Sequence, residues 1–219
     1  MKVVLFDYLF EKGQPGITGL SDLVWNWARE LTELGDEVHI VGPYPEGVRL
    51  PFPATLNRYA PPPFGYRNVI GNVLLCLRGW REIRKLGDVD VIHAPEYLST
   101  AVLAPLCRGV PSVLTVPGNI YERIANGNPF DWPTTQAFKV AARISAKACA
   151  KIIVTSAEME RWWAYSGAPA SRMVNIPHGI DPKRFYRVEG AKQRLGISDE
   201  TKLVLYVGRL SHEKGLQYL

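Results

Sequence analysis

The sequence predicts an α/β protein built on a doubly wound parallel sheet. Short runs of β-branched and aliphatic residues alternate with longer segments of helical spacing, the order produced when each parallel strand returns through a crossover helix. The runs are apolar at nearly every position rather than every second one, which is the pattern of strands covered on both faces. Gly, Pro and Asp punctuate the joins.

Lys2 to Phe6 reads as the first strand, followed by a loop through Gly13, Gly16 and Gly19. Ser21 or Asp22 can cap a helix reaching Leu34, with Leu23, Trp27, Leu31 and Leu34 on one stripe. Gly35 stops it, and Glu37 to Val41 is the next strand. Residues Gly42 to Tyr66 are proline-rich and read as irregular. A helix is expected from Asn68 to Lys85, with Val69, Val73, Leu77, Trp80 and Arg84 along one line and Arg78, Arg81 and Lys85 along another. Then come a strand Val89 to His93, a helix Tyr97 to Cys107 and a strand Ser112 to Val116. A loop Ile120 to Pro133, a helix to Ala150, a strand Lys151 to Thr155 and a helix Met159 to Tyr165 precede a closing strand, Met173 to Ile176. Trp162 and Trp163 read as packing. Pro177 to Glu200 has the composition of a connection, with positive φ expected at Gly179 and a short helix over Lys183 to Phe185 capped by Asp181. Leu203 to Val207 reads as a further buried strand, opening a second unit near Lys202.

At 219 residues the chain accommodates one large domain, or one domain and part of another. Its net charge of +5 suits phosphate-bearing substrates or an anionic membrane surface. Nucleic acid is not indicated, because no Lys/Arg block is interleaved with aromatics and no zinc-finger spacing occurs. Cys76, Cys107 and Cys149 are widely separated in apolar helical contexts and read as buried free thiols in a reducing compartment. Asp7 and Glu11 interrupt any signal-like apolar region, and no run approaches a spanning length of ~20 residues. The expected setting is cytoplasmic. The basic helix ending at Lys85 is compatible with peripheral contact at the inner face of the membrane.

The chemistry-bearing segments begin at the far end. Gly208-Arg209 follows the last apolar run, and Lys214-Gly215 stands five residues on. Ligands bind outside the carboxyl ends of strands in such sheets, and a guanidinium with an ammonium there can grip a diphosphate. This stretch resembles the G-R-L-x-x-x-K-G signature of retaining GT-B glycosyltransferases of the family-4 type. Ile176-Pro177-His178-Gly179-Ile180-Asp181-Pro182-Lys183-Arg184-Phe185 is similar to that family's I-P-N-G-V-D-x-x-x-F segment upstream of it.

The resemblance implies further assignments. Counting back from Leu34-Gly35-Asp36-Glu37-Val38, which is similar to R-G-H-E-V, places the family's glycine pair on Thr18 and Gly19. Gly16 and Gly19 are therefore the positions expected to approach the donor diphosphate. The loop lacks G-x-G-x-x-G, which argues against a nicotinamide-binding oxidoreductase or epimerase. Val91-Ile92-His93-Ala94-Pro95-Glu96 is similar to V-V-H-A-H: His93 either faces the cleft and hydrogen-bonds a substrate hydroxyl, or is a buried histidine satisfied by backbone. Glu96 is carried as an exposed acceptor-side carboxylate. Leu114-Thr115-Val116-Pro117-Gly118 is similar to V-T-x-H-G, with Pro117 replacing the family histidine. Asn119 is the neighbour able to substitute, unless the acceptor is arranged differently. Asp88-Val89-Asp90 spells D-x-D but precedes its strand, so it reads as a solvated turn at the amino edge.

By this resemblance residues 1–176 form a Rossmann-like acceptor-side domain, 177–200 a linker, and 201–219 the truncated start of a Rossmann-like donor-binding domain. The implied reaction is retaining sugar transfer from a nucleotide-sugar to a glycan, lipid or small-molecule acceptor. Arg209 and Lys214 would neutralise the leaving diphosphate, with no metal and no further cofactor. The chain is expected to be a fragment, inactive alone. The rival reading is a non-catalytic acceptor-side module working with a separate donor-binding chain.

Overall fold

A computed structural model describes residues 1–7, 19–61, 69–116, 132–183, 185–208, 210 and 215–218. Its centre is a seven-stranded, all-parallel sheet: β1 (Lys2–Phe6), β2 (Glu37–Gly42), β3 (Thr55–Arg58), β4 (Val91–Ala94), β5 (Ser112–Val116), β6 (Lys151–Val154) and β7 (Met173–Asn175). The spatial order is β3-β2-β1-β4-β5-β6-β7. From β1 the chain first winds outward through β2 and β3, then returns and winds the other way from β4 to β7.

That reversal decides where the helices lie. Parallel crossovers are right-handed, so helices joining strands laid down in one direction cover one face, and those laid down in the other direction cover the opposite face. α1 (Gly19–Glu33) covers β1 and β2 on the first face, with Val24 and Ala28 fully buried against Val3, Leu5 and Ile40. α2 (Val69–Lys85), α3 (Tyr97–Leu106), α4 (Trp132–Ala148) and α5 (Ala157–Tyr165) follow the reversal. Their buried residues form two clusters on the second face, one around Phe6, Leu75 and Ile92 and one around Leu114, Ile152 and Trp163.

Cap chemistry explains several boundaries. Ser156 caps α5 by accepting from Met159 N–H at 3.2 Å. Gly35 ends α1 at φ 90°, a conformation that only glycine adopts cheaply. Gly79 lets α2 sit directly on Phe6: a Cβ there would lie 2.2 Å from the ring. Cys76, Cys107 and Cys149 are buried free thiols as expected, the last two pushed up to about 11 and about 12 by burial.

Several expectations need correction. β3 lies inside the stretch read as irregular; its sequence Thr-Leu-Asn-Arg has no apolar run, and it forms because β2 offers an edge. β4 is shifted two residues from its expected start, since Asp90 is spent on β1: Lys2 N–H donates to its carboxylate at 2.6 Å. On α1 Val24 and Ala28 are the most deeply buried residues, with the expected Trp27 and Leu31 packed half-buried beside them and Leu34 exposed. On α2 the core stripe is Leu75, Cys76, Gly79 and Ile83, so the line through Val73 and Leu77 faces outward.

Beyond β7, the short helix expected over Lys183 to Phe185 includes Arg184, which lies outside the described residues. Asp181 closes a single turn, accepting from Lys183 N–H at 2.9 Å and from Phe185 N–H at 2.9 Å. Gly179 does not adopt positive φ, and the connection contains a short α6 (Ala191–Arg194). Leu203 to Val207 is not a strand: it pairs with no described strand, and Val204 and Val207 are exposed, because a buried strand needs neighbours on both edges.

Candidate functional site

The winding reverses between β1 and β4, and in open sheets of this kind the ligand crevice lies outside the carboxyl ends of the strands at such a point. β1 delivers Asp7 there, β4 delivers Pro95 and Glu96, and α1 begins there at Gly19. Asp7 is almost wholly buried. Tyr44 Oη donates to its Oδ2 at 2.5 Å, Ser21 Oγ donates to its Oδ1 at 3.3 Å, and Trp25 Nε1 donates to Tyr44 Oη at 2.9 Å. Burial and the adjacent Asp7 push the Tyr44 phenol well above its ordinary range, so it stays a donor. The network ties the first turn of α1 to the segment after β2 and thereby sets where α1 starts. Sequence reasoning missed it; the available signal was a carboxylate closing an otherwise apolar strand.

His93 points to the α1 face. Its ring lies under Trp27 with centroids 4.3 Å apart and planes 15° from parallel, and its Nε2 shares a 2.7 Å hydrogen bond with Thr115 Oγ1. Desolvation pushes its pKa down to about 4, so the ring is neutral at physiological pH. His93 is thus satisfied by a side chain rather than by backbone. It also lines a cleft of about 310 Å³ between α1 and the segment after β7, together with Trp27, Leu31, Ile153, Ile176 and His178. Trp27 and Thr115, which orient it, were not singled out in the sequence as site residues.

Glu96 corrects an expectation. It is buried rather than exposed, because it caps α3: its Oε2 accepts from Leu98 N–H at 2.7 Å and from Ser99 N–H at 3.0 Å. A carboxylate at a helix start also meets the positive end of the helix dipole. Asp88 and Asp90 sit at the amino edge, opposite the crevice, and among the described residues no cluster of metal-ligating side chains occurs. Gly16, Pro117, Asn119, Arg209 and Lys214 lie outside the described residues; Gly19 is the first residue of α1.

With this geometry in place, the relatives can be considered. The profile of Glycosyltransferase Family 4 matches residues 17–184, most of the chain. The chain belongs to that family. D-inositol 3-phosphate glycosyltransferase 1 of Catenulispora acidiphila is 30% identical over 139 residues, which is 61% of this chain and 33% of that protein. The sulfoquinovosyl transferase of Arabidopsis thaliana is 28% identical over 214 residues, 93% of this chain and 41% of that protein. Among solved structures, the sucrose-phosphate synthase of Thermosynechococcus elongatus superposes with a TM-score of 0.80 at 19% identity, covering 97% of this chain and 57% of the other. The Anabaena protein HepE, solved in complex with UDP and glucose, gives 0.57 at 16% identity, covering 90% and 50%. These likenesses establish the GT-B fold. The chain spans between a third and three fifths of the proteins it matches.

Proposed function

We propose that this family-4 protein takes part in retaining, metal-independent sugar transfer, and that the seven-stranded sheet is its acceptor-side domain. The observation that carries the reading is the family match over residues 17–184, laid on a sheet whose winding reverses between β1 and β4. Residues 177–200 would then link to a donor-side domain opening at 201–219. A nucleotide-sugar would lie across the junction, its diphosphate neutralised by Arg209 and Lys214 in place of a metal and approached by Gly16 and Gly19. His93, uncharged near neutral pH, suits hydrogen bonding or positioning rather than proton transfer. Asn119 would serve the acceptor, a glycan, lipid or small molecule. The proposed setting is cytoplasmic, with peripheral contact at the inner face of the membrane. No helix among the described residues is long and apolar enough to cross a membrane.

The test is a titration of the protein with UDP-, GDP- and ADP-sugars beside NADH, joined to transfer kinetics of the enzyme. One nucleotide-sugar should bind and NADH should not. Arg209→Ala and Lys214→Ala should each weaken transfer by roughly 2–4 kcal/mol of transition-state stabilisation. Wild-type kinetics in both variants would remove the reading. Pro117 in place of the family histidine favours a second one, an acceptor-side module that works with a separate donor-binding chain. In that case acceptor binding persists while no nucleotide-sugar binds.

A further inference from the structure

We propose that the outer surface of α2, α3 and α4 is a docking face for an anionic lipid bilayer. The inference deepens the reading above by naming the partner and the surface, and it rests on exposure, charge and pairing.

The outward stripe of α2 is divided along its length. Ile70, Val73 and Leu77 occupy the first half and Arg81 and Arg84 the second, all at helical repeat spacing opposite the buried Leu75, Cys76, Gly79 and Ile83. Ile70 is 69% exposed. On α4, Val140 and Ile144 are exposed one turn apart, alternating along the helix with the exposed Arg143 and Lys147. α3 packs between these two helices and ends at the exposed Leu106, with Arg108 beyond it. Large aliphatic side chains therefore stand in solvent beside cations on neighbouring helices, as in surfaces that sit in a headgroup layer.

Charge is unevenly distributed among the helices, α5 on the same face holding two carboxylates and one arginine. α2 and α4 together hold seven Lys and Arg side chains against one carboxylate, Glu82, and α3 holds no charge. α1, on the other face, holds three carboxylates against one arginine. Some of the cations are engaged: Arg78 donates to the carbonyls of Ala60 and Pro61, Lys85 pairs with Glu82, and Arg84 lies over Trp80. Among the described residues Arg81, Arg108, Arg143 and Lys147 have no ion-pair partner. Cations near helix C-termini do complement the dipole, but that role explains neither the aliphatic side chains around them nor the lack of acids. A polyanion without an apolar phase, such as nucleic acid, would leave Ile70, Val140 and Ile144 in water, so the bilayer fits better.

The test is sedimentation of the purified protein with phosphatidylcholine vesicles, with and without about one third phosphatidylglycerol, at low and high salt and without donor sugar. Binding should need the anionic lipid and be lost at high salt. The triple variant Arg81→Glu, Arg143→Glu, Lys147→Glu should bind roughly a hundredfold more weakly. Ile70→Ser with Ile144→Ser should bind about fivefold more weakly while keeping the salt dependence. Near-UV circular dichroism checks that both variants fold. Equal binding to neutral vesicles, no binding to anionic ones, undiminished binding of either variant, or tighter binding to duplex DNA would each overturn the assignment. No sugar chemistry enters the readout, so vesicle binding can fail while donor binding stands, and the reverse.

Discussion

The stacked, hydrogen-bonded His93 should make the fold lose stability as the pH falls, by an amount its surroundings set. In the folded chain its pKa is pushed down to about 4, whereas an unfolded chain holds histidine near ~6.5. Because the folded value is the lower one, the unfolded chain takes up the proton first. The stabilisation is therefore complete above about pH 6.5 and is lost as the pH falls towards 4. In that window the slope is about 1.4 kcal/mol per pH unit, so between pH 6.5 and pH 5 the loss comes to about 2 kcal/mol. The assay is urea unfolding at about pH 7 and about pH 5, on wild type and on His93→Phe. Phenylalanine keeps an aromatic ring against Trp27 but gives up the Thr115 hydrogen bond and the titration. The variant should be less stable by about 1 kcal/mol near neutrality, yet lose about 2 kcal/mol less than wild type on going to pH 5. Parallel losses in the two proteins would show that His93 is not held neutral by burial.

Glu96→Ala removes the acceptor for two buried amides and should cost about 2–3 kcal/mol, lowering Tm by roughly 5–10 °C in calorimetry. Glu96→Gln keeps an acceptor oxygen and should cost about 1 kcal/mol; a large loss of transfer activity at unchanged Tm would instead restore the acceptor-side role. Gly79→Ala presses a methyl group onto the fully buried Phe6 ring, 2.2 Å from its Cε2. Overpacking of about 2 kcal/mol should outweigh the better helix propensity and drop Tm by roughly 4–8 °C, whereas an unchanged Tm would mean that Phe6 can move.

How far the sequence could be read depended on whether a signal was local. β1 and β6 declare themselves through unbroken apolar runs and β2 and β5 through runs broken by His39 and Thr115, and six of the seven strands lie within two residues of their expected bounds. β3 escaped because its four residues are polar or half-exposed and owe their extension to the β2 edge. Leu203 to Val207 failed the other way, an apolar run with the right composition that pairs with no described strand. Helix existence was legible but helix phase was not. On α1 and α2 the expected lines reach the core only in part, through Trp27, Leu31 and Trp80, while Val24, Ala28 and Gly79 are buried against the sheet. At the site, His93 is singled out by the similarity of Val91 to Glu96 to V-V-H-A-H. Its partners Trp27 and Thr115 come from α1 and β5, distant in sequence, and only the sheet register brings them together.

The same geometry narrows what this domain can contribute to chemistry. Among the described residues at the switch point, Asp7, Glu96 and His93 are the groups that chemical intuition would nominate for proton transfer, and all three are engaged. Asp7 holds Tyr44 and Ser21, Glu96 holds the first amides of α3, and His93 is kept uncharged against Trp27. A group committed to packing and capping cannot also exchange protons with a substrate without loosening the element it holds. These described groups are thus spent on structure, and in the proposed reaction the developing negative charge would be met by other residues. That division of labour agrees with placing the diphosphate on Arg209 and Lys214. It also gives a physical reason for a sheet that spends buried polar residues at this edge: Asp7 ties down the first turn of α1, and Glu96 the first turn of α3.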